Sequence, residues 1–589
     1  MSIIARLHAL TEGVGAIVVT MTKKLRYIAL RMIKTEPAGQ PARPNDHSAT
    51  AVTRRGIFAL AGATAAIAAT PATARTFGTG FTHSVASGEP KADSVLLWTR
   101  FVSDDETRLE WQISETAEFS SVSAEGQVMA SPDRDFCVKA TASGLTPDRW
   151  YFYRFVAPDG SMSPVGRTRT LPQGPKPSFK LAVFSCSNFG FGWFNAYAHA
   201  AEANDCDLAV HLGDYIYEYG GNTYPDASNR HPERGLMPET EIVALADYRL
   251  RYATYRKDPD LQRLHQVLPM IAVWDDHEST NDSWKDGAQN HQPETEGEWS
   301  VRKAVAKRVY REWMPVSDEP YSAYEIGDLA TLFRLDTRLE GREEQFSIAK
   351  IIEGQEDPQA MIAALAAFKE ADYANPERQL LGAAQEQWLA GALQSSKARG
   401  TTWQVLVQQV LMGKLSSPRG MLELIGDSLP DYARRRLIAS SLAAEAGLPL
   451  NMDAWDGYPA ARERVFESAL AADANLLVLA GDTHNGWAFN LGHEGESVGV
   501  ELGVCSVSSP GFESYLAAIP PQTLAAGVVG ANDELLWADT SQRGYMTVEL
   551  TPSAATTEYR FVSGIRQRST QLAGTKRITT QAGSNTLDA

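Results

Sequence analysis

Residues 273–282 read VWDDHESTND. Asp275, Asp276, Glu278, Asp282 and His277 crowd together directly after the apolar run PMIAVW (269–274). An apolar run of this length, bounded by polar residues, reads as a buried strand. Carboxylates are rarely buried unless something offsets their desolvation. The stretch therefore raises one question: which positive charge lets a core strand end in so many acids?

Three other apolar runs end in the same way. FKLAVF (179–184) leads into Ser185, Cys186, Ser187 and Asn188. CDLAVHLG (206–213) leads into Asp214, Tyr215, Ile216, Tyr217 and Glu218, and ANLLVLAG (474–481) into Asp482, Thr483, His484 and Asn485. Between them lie helical patterns such as AYAHAAEAN, ETEIVALADYRLRYATYR and SVRKAVAKRVYREWM. Strand–helix alternation predicts an α/β domain. In open α/β sheets, ligands bind beyond the carboxyl ends of the strands. Thiolate, carboxylate, phenolate, imidazole and amide side chains stand at these four ends, so neighbouring strands would gather them around metal ions. A metal cluster is the expected source of the missing charge.

Outside this domain the pattern differs. From 77 to 171, short alternating runs (SVLLWTR, RLEWQIS, FCVKATASGL, RWYFYRFV) separated by turns predict a small β-sandwich. PQGPKPS (172–178) reads as a linker, and residues 178–565 as the α/β domain. Ala-rich, charged stretches near 345–380 and 415–455 read as helical insertions covering one edge. Residues 566–589 are polar and are expected to fray. No internal repeat is evident.

Residues 1–74 read as a leader. Within it, TRRGIFALAGATAAIAATPATA (53–74) has two arginines, a short apolar stretch and Ala72-Thr73-Ala74 as a cleavage site, which is the pattern of a twin-arginine signal. Ile57 stands where Phe is commonest in that pattern, and Met21 and Met32 are alternative starts. The reading implies passage through the twin-arginine export machinery to the periplasm or beyond. The apolar stretch is too short and Ala-rich for a stable membrane span.

The composition is that of a soluble globular chain, 43% hydrophobic and 22% charged. With 589 residues, two to four domains are expected. A formal charge of −17 argues against non-specific nucleic-acid binding. An acidic protein acting on an anionic substrate needs local compensation from metal ions or a placed arginine. Four cysteines are too few for a disulfide scaffold, although one pair is open. A monomer is the working expectation.

The ordered set Cys186, GDYIYEY (213–219), WDDHE (274–278), LDTR (335–338), DAWDGYP (453–459), GDTHNGW (481–487) and RGYM (543–546) resembles the PhoD-type alkaline phosphatases. These are secreted metallophosphoesterases related in core design to purple acid phosphatases. HSVASGEPKADSVLLWTR (83–100) resembles the start of that family's N-terminal β-sandwich. The resemblance implies a four-layer α/β/β/α core, with iron(III) (Fe3+) and calcium (Ca2+) in the site. By position, Cys186, Asp214, Tyr217 and His484 would hold iron, and Asp214 would bridge to the second metal. Asp482 with either Asp276 or Asn281 would serve calcium. Asp276 aligns with the metal-binding Asn in the Gly-Asn-His-Glu of related phosphoesterases.

The activity this implies is hydrolysis of phosphate mono- and diesters by a metal-activated hydroxide or oxide. Arg338, after the strand ATLFRL, is the candidate for gripping phosphate. His277 is the candidate for stabilising phosphate or protonating the leaving group. Core packing is the expected role of Trp193, Tyr215 and Trp455. Phospholipase D-like phosphodiester hydrolysis is an alternative, as is a non-catalytic envelope metal-binding module.

Overall fold

The structure is a computed structural model in which residues 74–355, 357–418 and 431–588 are described. The twin-arginine stretch, except Ala74, lies outside these residues, as do 419–430 of the second insertion.

The first domain is built of β1 (Gly80–Gly88), β2 (Ser94–Val102), β3 (Thr107–Ser114), β4 (Ala124–Ala130), β5 (Cys137–Ser143), β6 (Trp150–Val156) and β7 (Gly166–Arg169). Strands β4-β3-β6-β7 form one sheet, and β1-β2-β5 face it across an apolar core that includes Val85, Leu97, Ile113 and Tyr153. This is the expected sandwich, with one addition. Gly88 of β1 pairs in parallel with Met270, so the sandwich is continuous with the main sheet of the second domain.

That sheet continues through β8 (Phe179–Phe184), β9 (Leu208–His211) and β10 (Met270–Ala272), all parallel. A short hairpin follows β10, made of β11 (Ser283–Trp284) and β12 (Gly287–Ala288). A second sheet is built from β13 (Ser322–Ile326), β14 (Ala330–Arg334), β15 (Trp403–Val407), β16 (Leu476–Ala480), β17 (Gly486–His493), β18 (Glu496–Gly503) and β19 (Leu535–Asp539). The chain then returns to the first sheet with β20 (Gly544–Leu550), β21 (Ala554–Val562), β22 (Leu572–Gln581) and β23 (Leu587–Asp588). The two orders are β23-β22-β21-β20-β8-β9-β10-β1-β2-β5 and β13-β14-β15-β16-β18-β17-β19.

Residue alternation explains how the sheets stack. In β8, Phe179, Leu181 and Val183 enter the core between the sheets, while Ala182 and Phe184 face helices on the outer side. In β16, Leu477 and Leu479 point inward, and Leu476, Val478 and Ala480 outward. Strands buried on both faces read as continuous apolar runs. Helices Asn195–Ala203, Leu245–Arg256, Pro259–Val267 and Trp299–Trp313 cover the first sheet. Ala383–Ala398, Pro459–Ala471 and Pro521–Gly530 cover the second. The result is the four-layer α/β/β/α core.

Two open points are settled and one expectation changes. The four functional strands are not all neighbours: β8, β9 and β10 share one sheet, and β16 belongs to the other. The residues after 565 do not fray, because β22 pairs with β21 along nearly its whole length; their alternating side chains suit a sheet edge despite their polarity. No disulfide forms, and all four cysteines are buried as free thiols. Within the insertions, helices Ile348–Ile351, Pro358–Phe368 and Asp431–Glu445 contribute to a separate apolar core that includes Leu365, Phe368, Leu442 and Met452. No helix among the described residues is long and apolar enough to cross a membrane.

Candidate metal centre

The tips of β8, β9 and β10 meet the tip of β16 across the interlayer core. Glycine makes the approach possible at two points. A Cβ on Gly213 would fall 2.4 Å from Asp275 Cβ, and one on Gly481 would fall 2.8 Å from Ser185 Cβ. Three groups of side chains result, each with its ligating atoms within 4.8 Å: Cys186, Asp214 and His484; Asp214, Asp276 and His277; Asp275, Asp276 and Asp482. Asp214 links the first group to the second, and Asp276 links the second to the third. Tyr217 joins the first group, with its hydroxyl 3.0 Å from Asp214 Oδ2 and 3.2 Å from His484 Nε2.

The backbone at these positions is unusual. Cys186, Asp214, Asp482 and His484 all have φ between 53° and 64°, in the left-handed region. Non-glycine residues there cost of order 1 kcal/mol or more each and persist only where the surroundings impose them. Glu278 supplies part of that constraint: its carboxylate accepts the backbone N–H groups of Asp214 (3.1 Å), Tyr215 (2.5 Å) and Asp275 (2.7 Å). The Cys186 and Ser187 N–H groups bond to the carbonyls of Gly213 and Asp214, and His484 Nδ1 lies 2.8 Å from the Pro510 carbonyl.

The electrostatics are those of a site built around cations. Burial, reinforced by neighbouring acids, pushes the Asp214 carboxyl well above its ordinary range against the pull of His277. Burial and Asp275 do the same to Asp482. Burial raises Asp275 to about 6 despite Arg338. The Cys186 thiol is pushed up by burial, then by Asp214, and burial lowers His484 to about 3. Asp276 is the exception: burial opposes its ionisation, but Arg338 and His277 outweigh it and hold its carboxyl below the usual range. Asp214 Oδ1, Asp275 Oδ2 and Asp276 Oδ1 are buried with no hydrogen-bond partner. Orphaned carboxylate oxygens facing one another are costly, and cations among them remove that cost. The donor types fit. A thiol, a phenol, an imidazole and a carboxylate suit a highly charged transition-metal ion, and the all-oxygen group Asp275, Asp276 and Asp482 suits calcium.

His277 is oriented by Glu218, whose Oε2 lies 2.6 Å from Nδ1, which leaves Nε2 as the other ring nitrogen. Burial works against the imidazolium, but Asp276, Glu218 and Asp214 outweigh it and raise its pKa well above the usual value.

Asp276 is a member of the carboxylate cluster. Asn281 lies beside it, its backbone N–H donating to Glu218 Oε1 at 2.8 Å and its side-chain N–H to Gln289 Oε1 at 3.0 Å. Arg338 reaches into the same acids, and each of its guanidinium nitrogens faces a carboxylate. Nε bonds to Asp275 at 2.5 Å, Nη1 to both oxygens of Asp453 at 2.7 and 2.9 Å, and Nη2 to Asp482 at 3.1 Å. The buried strand β14 runs straight into this acid nest, so the arginine serves as its counter-charge. Tyr215 and Trp455 are fully buried, as expected, while Trp193 packs against His231 and Arg568, apart from the cluster.

Glu218, Glu278, Asp453 and Ser509 are site residues whose roles the sequence reading missed. Glu218 and Glu278 stood in view within the strand ends, and Asp453 within DAWDGYP. Ser509, whose hydroxyl lies 2.7 Å from that of Tyr217, carried no signal.

This fold, with this site at its strand tips, is that of a phosphoric ester hydrolase. Comparison with known proteins narrows the class. The PhoD-like phosphatase model matches residues 181–559, and the N-terminal domain model of PhoD-like phosphatases matches 66–172. Alkaline phosphatase D of Bacillus subtilis (strain 168) is 33% identical over 512 residues, which span 82% of this chain and 77% of that protein. A solved structure of PhoD superposes with a TM-score of 0.68 at 29% identity, covering 87% of this chain and 92% of that one. The chain belongs to the PhoD-like phosphatase family.

Proposed function

We propose that this phosphoesterase is exported and metal-dependent, and that it hydrolyses phosphate mono- and diesters at the cluster joining β8, β9, β10 and β16. The observation that carries the reading is the set of three buried carboxylate oxygens, on Asp214, Asp275 and Asp276, that accept no hydrogen bond, in donor groups that also bring a thiol and two imidazoles together. Cys186, Asp214, Tyr217 and His484 would hold iron(III); Asp276 and Asp482, with Asp275 beside them and Asp214 shared with the first group, would hold calcium. Bound there, such ions lower the pKa of water and neutralise charge on a transferring phosphoryl group.

The chain's own residues do the rest. Asp214, placed between two groups of donors, keeps both within one small volume. His277, with Nδ1 held by Glu218, presents Nε2 as the proton donor to the departing ester oxygen. Arg338 fixes Asp275, Asp453 and Asp482, so the acids keep their spacing when no substrate is present. Aromatic and apolar burial around the tips excludes bulk water. Export by the twin-arginine machinery is supported by Arg54-Arg55 ahead of the apolar stretch and by Ala72-Thr73-Ala74.

The direct test replaces Asp214 with Ala in purified protein supplied with calcium. Turnover of p-nitrophenyl phosphate should be lost together with bound iron. Retained turnover would rule out this site.

A further inference from the structure

The stretch GDYIYEY puts tyrosines at three alternate positions, and the fold sends them to three depths. Tyr215 lies in the core, its hydroxyl 2.8 Å from His265 Nε2. Tyr217 belongs to the cluster described above. Tyr219 stands further out and is half-buried. Its ring lies 5.5 Å from that of His277, whose own ring lies 4.2 Å from Tyr217. The aromatic surface continues outward. Tyr224 is 5.8 Å from both Tyr217 and Tyr219, and Phe191 is 4.9 Å from Tyr224. Tyr515 adjoins Tyr224 and is 47% exposed. Among the described residues, Phe191, Tyr219 and Tyr224 belong to none of the apolar clusters that fill the four layers. Packing of the core does not account for them.

The rim is preset. The buried Arg251 guanidinium donates to the carbonyls of Tyr217, Tyr219, Pro238 and Thr240, which pins the loop to helix Leu245–Arg256. Gly190 lets the loop close, since a Cβ there would fall 2.7 Å from Pro225 Cδ. His277 and Tyr217 are the side chains common to the reactive cluster and the aromatic rim.

We infer that Tyr219 and Tyr224 form a stacking platform for the leaving group, which selects phosphate esters with a planar aromatic leaving group over those with a small aliphatic one. The inference rests on the proposed site. Ring faces attract other rings in offset or edge-on geometries, whereas a short polyol gains little from them.

The test measures kcat/KM for p-nitrophenyl phosphate and for glycerol 3-phosphate in the wild type and in Tyr219→Leu, Tyr224→Leu and Tyr219→Phe. Each ester's intrinsic reactivity is the same in every variant, so a change in the ratio reports the protein alone. The aryl-to-glycerol ratio should fall about five- to tenfold in each leucine variant, as loss of an aromatic pair implies, and should hold in Tyr219→Phe, which keeps the ring. An unchanged ratio in Tyr219→Leu would overturn the inference, as would an equal fall in Tyr219→Phe or a parallel loss of both activities with lowered thermal stability. A wild type inert towards both esters would instead overturn the proposed function on which the inference stands.

Discussion

Glu278 Oε2 accepts the backbone N–H of Asp214 at 3.1 Å, and the same carboxylate accepts those of Tyr215 and Asp275. One buried side chain thus staples the tip of β9 to the tip of β10 and holds Asp214 at φ 53°. Replacing Glu278 with Ala frees three N–H groups and removes the constraint on the strained residue. Bound metal and kcat should both fall, by about 10- to 100-fold, as for other groups that orient metal ligands. Metal analysis and turnover on the same preparation check this. Full metal content with normal turnover would show that the staple is dispensable.

Cys186 and Tyr217 flank Asp214 from two different strand tips. If both donate to iron(III), the protein absorbs visible light, and each residue contributes to the band. Cys186→Ser and Tyr217→Phe should each shift or weaken the absorption, and the double variant should abolish it. A spectrum unchanged by Cys186→Ser would remove the thiol from the coordination sphere while leaving the carboxylates untouched.

The cluster of donor side chains was legible because its members follow apolar strands, and strand ends are where α/β sheets place chemistry. That β16 lies in a different sheet from β8, β9 and β10 was not legible. Apolar runs buried on both faces look alike whichever sheet they join. Asp276 and Asn281 were both open as oxygen donors from the third strand tip, and the turn before β11 places the Asn281 side-chain N–H on Gln289. The fate of Arg338 depended on Asp453, which enters from a distant segment, and no local pattern announces that contact. The tail beyond 565 was misjudged on polarity, because an edge strand needs only one apolar face.

Arg338 faces carboxylates with all three nitrogens and is fully buried. Removing one partner from a buried ionic network typically costs 3–5 kcal/mol (roughly), because the others stay buried without compensation. Arg338→Met should therefore lower the free energy of unfolding by about that amount in the presence of chelator. Urea denaturation measures it. A substitution that instead raised KM severalfold with unchanged stability would return this residue to the phosphate-gripping role that its place in LDTR first suggested.

Far from the cluster, Glu501 on β18 is fully buried and accepts the N–H groups of Met412 and Gly413 at 2.7 Å each. Burial raises its pKa from 4.5 to about 8, against the pull of those two bonds. The sign of its effect on stability follows. The unfolded chain releases this proton near pH 4.5, while the folded chain keeps it until about 8. The stabilising contribution is therefore fully present below pH 4.5, declines as pH rises, and is gone above 8. Across that window the slope approaches about 1.4 kcal/mol per pH unit. Thermal unfolding scanned from pH 5 to pH 9 in steps of about one unit should show the wild type losing stability, and Glu501→Gln should flatten that part of the profile whatever constant offset it adds. An identical slope in the variant would show that Glu501 ionises normally within the fold, and the pH response would then have to come from another buried acid, of which Asp456, raised by burial to about 7, is the next to test.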